Sequence, residues 1–362
     1  QAWGSIMRRY ENALCISGTH GKTTTTSMCT HIAMAARVDP TVMIGGTLPI
    51  LGTGHRVGKG KTIILESCEY CNSFLSFYPT LAVILNIEAD HLDFFKDLED
   101  VEHAFRAFAD LVPPGGTVLA NGEDANTMKA LEGKEGVLTF GLEKGTFHAE
   151  NLTWDHGFPS FDVVWNGKPA VHVALQVPGE HNVRNALAAT ACALAAGCTL
   201  AAVAEGLAAF VPVAGRSRVL ALPMPGRTLT VVDDCYNANP DSMQAAIAVL
   251  AELPAPRWLV LGDMGEVGSQ GPQFHAEAGA LARASGIEHL LALGTLSTHA
   301  VQAFAHASGP TPAAQARHFD DKAALLAALR AALPGMGSVL VKGSRFMKME
   351  DAVQALQEAT CS

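Results

Sequence analysis

Short apolar runs alternate with longer stretches of helical period along most of this chain. The first run, Asn12-Ala13-Leu14-Cys15-Ile16, reads as a buried strand. Residues 24–36 after it read as a helix with apolar positions at Met28, Ile32 and Met34. Strand-like runs recur at residues 62–65, 81–85, 117–120 and 137–140, and a helical pattern covers 101–111. Residues 145–176 differ. Phe161-Asp162-Val163-Val164-Trp165 and Ala170-Val171-His172-Val173 flank Asn166-Gly167, which predicts an antiparallel hairpin with a type I′ turn. An alanine-rich helix is expected over 182–196. Pro212 and Gly215 then interrupt the helical pattern, which predicts a boundary and domains of 1–211 and 212–362. Beyond it, strands are expected at 228–233, 258–261, 289–292 and 339–341, with helices at 242–253, 273–284 and 322–332. The predicted class is α/β: a P-loop central domain with a mostly parallel sheet and a small antiparallel hairpin region, followed by a Rossmann-like α/β C-terminal domain.

The junction between the first strand and helix carries the clearest chemistry. Gly18-Thr19-His20-Gly21-Lys22-Thr23-Thr24 sits where a nucleotide-binding loop belongs, between a buried strand and a helix. Gly18 and Gly21 let several N–H groups point at one anion. The helix N-terminus adds partial positive charge. Lys22 supplies a mobile cation, expected near solvent in an empty loop, and Thr23 offers a hydroxyl to Mg²⁺. The spacing between the glycines is shorter than in the general motif.

Acidic and polar groups follow other strands. Glu66 ends the run at 62–65, and Asp90 and His91 follow the run at 81–85, positions where open α/β sheets bind ligands. Glu66 and His91 are therefore candidate metal ligands beside Thr23. Asn182 is a candidate helix cap. Asn185 is read equally as part of such a cap or as an adenine contact, since its amide donates and accepts. Asp233 and Asp234 end a later strand, as groups that bind ribose do. Arg216 and Arg218 lie at the expected domain joint and are read equally as phosphate contacts or as surface arginines.

Composition narrows the picture. The chain has 362 residues, 49% hydrophobic and 17% charged, an ordinary globular balance. A formal net charge of −10 argues against nucleic acid or an anionic membrane as partner. No apolar run is long enough to span a bilayer. The eight cysteines are scattered, several in apolar segments, which predicts a reduced, cytoplasmic protein. Cys68 and Cys71 form a Cys-x-x-Cys, but no second pair completes a zinc site.

Together these motifs resemble the Mur ligase family, the ATP-dependent amide-bond ligases of peptidoglycan precursor synthesis. The glycine loop, Glu66-Ser67-Cys68-Glu69-Tyr70, Asn86-Ile87-Glu88-Ala89-Asp90-His91-Leu92-Asp93 and Gly179-Glu180-His181-Asn182-Val183-Arg184-Asn185 look most like the branch that adds L-alanine. The C-terminal part departs from it. Asp233-Asp234-Cys235-Tyr236-Asn237-Ala238-Asn239-Pro240, Gly262-Asp263-Met264-Gly265-Glu266 and Lys342-Gly343-Ser344-Arg345 resemble the branch that adds D-alanyl-D-alanine.

The resemblance implies ATP and Mg²⁺ as cofactors, and a UDP-muramoyl acid plus an amino acid or dipeptide as substrates. It implies that Lys22, Glu66 and His91 are catalytic, that Asn185 contacts adenine and Asp234 the ribose, and that Arg216 or Arg218 reaches a phosphate. Asn237, Asn239, Lys342 and Arg345 would contact the amino donor, and Asn237 would also be among the nucleotide-binding residues. The L-alanine branch is favoured, because its likeness covers the loop-bearing half. Family members also carry an N-terminal domain that holds the UDP-sugar, and this sequence starts close to the glycine loop, so that domain is expected to be missing. A bridging carbamylated lysine, used elsewhere in the family, has no counterpart here: residues 101–112 contain no lysine.

Overall fold

A computed structural model describes residues 2–91, 94–311 and 313–360; Leu92 and Asp93 of the acidic motif lie outside the described residues. The chain divides into two compact units, Gln1–Gln176 with Glu180–Val213, and Val177–Gly179 with Ala214–Ser362.

In the first unit, α1 (Ala2–Met7) and β1 (Asn12–Ser17) lead to α2 (Lys22–Ala35), β2 (Thr41–Leu48), β3 (Thr53–Arg56) and β4 (Thr62–Glu66). A 3-10 turn over Tyr70–Ser76 precedes β5 (Leu81–Ile84), α3 (Leu98–Asp110), β6 (Thr117–Asn121), α4 (Ala125–Ala130) and β7 (Val137–Phe140). Then come β8 (Phe147–Asp155), β9 (Phe158–Trp165), β10 (Lys168–Ala174), α5 (Glu180–Ala195) and α6 (Leu200–Ala208). Among the described residues the strands form one ten-stranded sheet, ordered β10-β9-β8-β7-β6-β5-β1-β4-β2-β3. Its middle is parallel, and antiparallel pairs close both ends, β2 with β3, and β9 with β8 and β10. The expected hairpin is present, with Asn166 and Gly167 both at positive φ, and β8 adds a third antiparallel strand.

Both faces of the parallel part are covered, which is why its strands read as unbroken apolar runs. Ala13 and Cys15 of β1 pack with Met7, Phe74, Phe105 and Phe108, and Phe74 stacks on Phe108 at 4.6 Å. Burial pushes the Cys15 thiol up to about 12, so it serves as a small core residue. The other face, with Leu14 and Ile16, lies under α2, against which α5 and α6 pack. The many hydroxyls of α2 survive burial by bonding back one turn: Thr26 to Lys22 O, Ser27 to Thr23 O and Thr30 to Thr26 O, each at 2.8 Å.

Several helix starts fall two or three residues before the expected position. The helix expected at 24 begins at Lys22, because Gly21 at φ 83 ends the loop and acts as its N-cap. The helix expected at 182 begins at Glu180, which places Asn182 inside the first turn and overturns the cap reading. Strand β2 escaped the sequence reading. It contains two glycines and pairs with β4 only over Thr41–Met43.

The second unit runs β11 (Arg218–Met224), β12 (Arg227–Asp234), α7 (Pro240–Ala251), β13 (Arg257–Gly262), α8 (Gly271–Ala284), β14 (His289–Leu293) and α9 (Ser297–His306). It continues through β15 (Gln315–Phe319), α10 (Lys322–Ala332), β16 (Ser338–Lys342) and α11 (Glu350–Thr360). Its sheet is ordered β11-β12-β16-β13-β14-β15 and is parallel except for β11. Val231, Val260, Val339 and Val341 face Leu325, Leu329 and Leu356 on one side. Val232, Leu259, Leu261 and Leu340 face Met243, Ile247, Ala282 and Phe304 on the other.

Two tests follow from this packing. A Cβ on Gly206 of α6 would lie 2.5 Å from Ile32 Cα of α2. Gly206→Val should therefore destabilise the protein by about 1–3 kcal/mol in urea unfolding; unchanged stability would mean that the helices do not meet there. The second test concerns His31 of α2, which is buried edge-on to Phe210 with neither ring nitrogen partnered. Burial lowers it from 6.5 to about 4. The unfolded chain thus takes up the proton first as pH falls, and the native state loses stability between pH 6.5 and about 4. The loss reaches roughly 3 kcal/mol. His31→Leu should flatten that part of a stability–pH curve.

Candidate functional site

Three neighbouring parallel strands, β4, β1 and β5, release their chains at one edge of the sheet, the carboxyl edge. The loop Gly18–Gly21 leaves β1, Glu66 ends β4, and Asn86 to His91 follow β5. Gly18 has φ 140 and Gly21 has φ 83, conformations that favour glycine. Close approach excludes side chains as well. A Cβ on Gly18 would sit 2.8 Å from Leu85 Cβ, and one on Gly21 would sit 2.5 Å from Asn185 Oδ1.

The segment after β5 braces the loop. The Thr19 N–H donates to Asn86 O at 3.1 Å, and the His20 N–H donates to Asn86 Oδ1 at 2.7 Å. Glu88 returns an N–H to Thr19 Oγ1 at 2.9 Å and pairs with His20 Nε2 at 2.9 Å. No side chain caps the N-terminus of α2. The first amides of a helix lack partners within it, and here those of Lys22, Thr23 and the half-buried Thr24 are donors that suit an anion.

Thr23 and Glu66 meet: the buried hydroxyl donates to Glu66 Oε1 at 2.9 Å, while the Gly45 N–H donates to Oε2 at 2.7 Å. A hydroxyl and a carboxylate oxygen this close are hard donors suited to Mg²⁺. His91 sits differently. It has φ 54, and its Nε2 lies 4.0 Å from Glu69 Oε1, with its ring 4.7 Å from that of Tyr70.

Glu69 is the residue that the sequence reading passed over. Its carboxylate is 2% exposed and holds Lys22 Nζ at 2.8 and 2.9 Å. Lys22 also donates to Gly18 O at 2.5 Å and to Thr19 O at 3.1 Å. The expectation of a solvent-facing lysine is corrected: the ammonium is folded onto its own loop, 13% exposed, because a buried carboxylate attracts it. The available signal was an acidic residue three positions after Glu66, on the turn that leaves the same strand.

Asn185 of α5 is buried against the glycine loop. Its Oδ1 accepts from Thr25 Oγ1 at 3.2 Å, and its Nδ2 donates to Asn182 Oδ1 at 3.2 Å. Lining the loop and bonding within α5 are thus both realised.

In the second unit the predicted residues lie at the carboxyl ends of β12 and β16 and at the start of β11, which runs antiparallel to β12. Asp233 accepts the Gly215 N–H at 2.9 Å, and a hydrogen bond runs from Cys235 Sγ to Asp233 Oδ1 at 2.9 Å. Burial, with Asp233 beside it, drives the Cys235 thiol far up. Asp234 accepts the Ser217 N–H at 2.9 Å and pairs with buried Lys342 at 2.5 Å, while Lys342 also reaches Asn237 O at 3.1 Å. The Arg216 guanidinium lies 4.0 Å over the Tyr236 ring, and that of Arg345 lies 5.8 Å from it. Arg345 also pairs with Glu350 at 3.0 Å. Arg218 begins β11, half-buried. Asn237 is exposed. Asn239 forms a capping box on α7: its Oδ1 accepts from Ser242 N at 2.9 Å. That cap starts α7 at Pro240, two residues before the expected 242.

Comparison with known proteins matches residues 16–193 to the Mur ligase middle domain and residues 215–345 to the Mur ligase glutamate ligase domain. The UDP-N-acetylmuramate–L-alanine ligase of Clostridium novyi (strain NT) is 40% identical over 255 residues, covering 70% of this chain and 55% of that enzyme. The chain thus spans about half the length of the curated relatives it matches. Among solved structures, MurF from Acinetobacter baumannii superposes with a TM-score of 0.82 at 26% identity, covering 98% of this chain and 79% of that one. UDP-N-acetylmuramate:L-alanyl-gamma-D-glutamyl-meso-diaminopimelate ligase from Neisseria meningitides is 30% identical with a TM-score of 0.52, covering 57% and 68%.

The Lys22–Glu69 pair generates a stability test. Lys22→Ala strands a buried carboxylate and should cost about 3–5 kcal/mol, whereas Lys22→Ala/Glu69→Gln should recover most of it. Urea unfolding of the two variants measures this, and equal stability of the single variant and the parent would refute the burial of the pair.

Proposed function

The chain belongs to the Mur ligase family, and from that premise we propose that it is an ATP-dependent amide-bond ligase acting on a UDP-muramoyl carboxylate. The observation that carries the reading is the convergence of Lys22, Thr23 and Glu66 on one uncapped helix N-terminus. In this reading residues 1–211 bind ATP and 212–362 supply the amino-donor and ribose contacts. Loop amides and Lys22 orient the triphosphate. The substrate carboxylate takes the γ-phosphoryl group, and the donor amine then displaces phosphate from the acyl phosphate. Lys22 offsets the charge that spreads over the transferred oxygens, so the protein contributes position and electrostatics.

Thr23 and Glu66 would hold one Mg²⁺ and His91 a second, cations that when bound neutralise phosphate charge. Asn185 serves adenine, Asp233 and Asp234 the ribose side, and Arg216 or Arg218 a phosphate. Asn237, Asn239, Lys342 and Arg345 serve the donor. L-Alanine is the favoured donor, supported by the name of the Clostridium novyi relative. D-Alanyl-D-alanine is the second reading, supported by the motifs around Asn237 and Lys342 and by the fold likeness to MurF from Acinetobacter baumannii. A cytoplasmic location fits nucleotide-sugar substrates, and among the described residues no helix is long and apolar enough to cross a membrane.

Phosphate release with ATP, Mg²⁺, a UDP-muramoyl acid and each donor is the test. Release is expected only when acid and donor are both present, and faster with L-alanine. The Lys22→Ala/Glu69→Gln variant should be folded and lose at least about a hundredfold in rate. Release with neither acid nor donor would make the protein an ATPase, and nucleotide binding without turnover would make it a binding module.

A further inference from the structure

Lys22 has three N–H donors, and all are committed to Gly18 O, Thr19 O and the Glu69 carboxylate. No donor is left for a phosphate unless one of these bonds breaks. Two of the acceptors are neutral carbonyls of the loop itself. The third is an anion, 2% exposed, whose ion-pair partners among the described residues are Lys22 and, at 4.0 Å, His91. Glu66 stands on the other side of the same helix start, bonded to Thr23. Around Lys22 the cradle thus sets one ammonium against the Glu69 and Glu66 carboxylates, and a third, Glu88, is paired with His20 of the loop. Carboxylates outnumber the ammonium there, which bears on which anions enter.

We infer that Glu69 is a specificity determinant of the cradle, admitting a triphosphate as its divalent-metal complex and turning away bare polyphosphate. The inference rests on the nucleotide reading given above and deepens it. A metal-free triphosphate must take Lys22 from Glu69 and then lie beside an uncompensated buried carboxylate, with Glu66 close by. Like charges at such separation in a poorly hydrated loop repel strongly. A triphosphate carrying its metal brings positive charge that offsets both carboxylates, and Thr23 and Glu66 supply oxygens for that metal. Glu69 thus acts through Lys22 as a positioning residue: it keeps the ammonium docked until an anion of reduced net charge draws it away.

The test measures binding of a non-hydrolysable ATP analogue to the full chain by titration calorimetry, once with excess Mg²⁺ and once with EDTA. In the parent protein, binding should be far weaker in EDTA. Glu69→Gln keeps an acceptor for Lys22 but removes the charge, so the ratio of the two dissociation constants should fall by about tenfold or more, through tighter metal-free binding. Glu69→Met, similar in volume, is the second variant and is read in the same way, with circular dichroism confirming the fold. An unchanged ratio, or equal weakening in both conditions, would show that Glu69 merely holds Lys22 in place and would overturn the inference alone. Absence of nucleotide binding in parent and variants, with or without metal, would remove the nucleotide reading and this inference together.

Discussion

The side-by-side parallel pairing of β4, β1 and β5 is the constraint on which the candidate site depends. Parallel strands start at one edge and finish at the other, so every chain leaving these three strands does so at the same place. The glycine loop, Glu66 and the Asn86–His91 segment are separated by tens of residues or nearly so, yet each lies at or just beyond the end of its strand. Pairing Ile16 with Glu66 and Ser17 with Ile84 sets their heights to within one residue. The core on either side of the sheet keeps that register, because a slip of one residue would exchange the buried faces of β1. Stability and site geometry are thus one requirement in this unit.

Within that frame, polar chemistry is carried by few bonds of unequal character. Asn86 and Glu88 grip the loop through neutral and charge-assisted hydrogen bonds. Thr23 and Glu66 leave oxygens facing the helix start. Lys22 is the cation of the group, held by the inner carboxylate Glu69. The arrangement folds the ammonium onto its own loop, and burial of Glu69 makes the charge balance there depend on that one pair. The second unit repeats the principle at the carboxyl ends of its own strands. There Lys342 satisfies Asp234, and Asn239 secures the start of the next helix.

Which site features were readable beforehand follows from how far apart the participants lie in sequence. Gly18, Gly21, Lys22 and Thr23 form a contiguous pattern whose physics is local: positive φ, an uncapped helix start and an ammonium within one turn. Glu66 and His91 were reachable by a rule about strand ends, and both come to the loop's edge of the sheet. Asn182 was misjudged because the helix starts only two residues before the expected position, within the uncertainty of a boundary read from sequence. Asn239 shows the reverse. Its side chain has a local role as a helix cap, which a likeness of motifs does not separate from contact with a ligand.

By itself, the amino-acid order determined the class of fold, the glycine loop and the residue types of the site, since these rest on periodicity and on neighbours in the chain. It also carried the antiparallel hairpin, through two residues at positive φ. Only the tertiary structure decided what each polar group touches. Lys22 meets Glu69 across 47 positions and Thr25 meets Asn185 across 160, pairings set by strand order and helix packing that leave no local trace. The physical reason is that side-chain electrostatics act through space over a few ångströms, whereas sequence patterns report only the surroundings of one element.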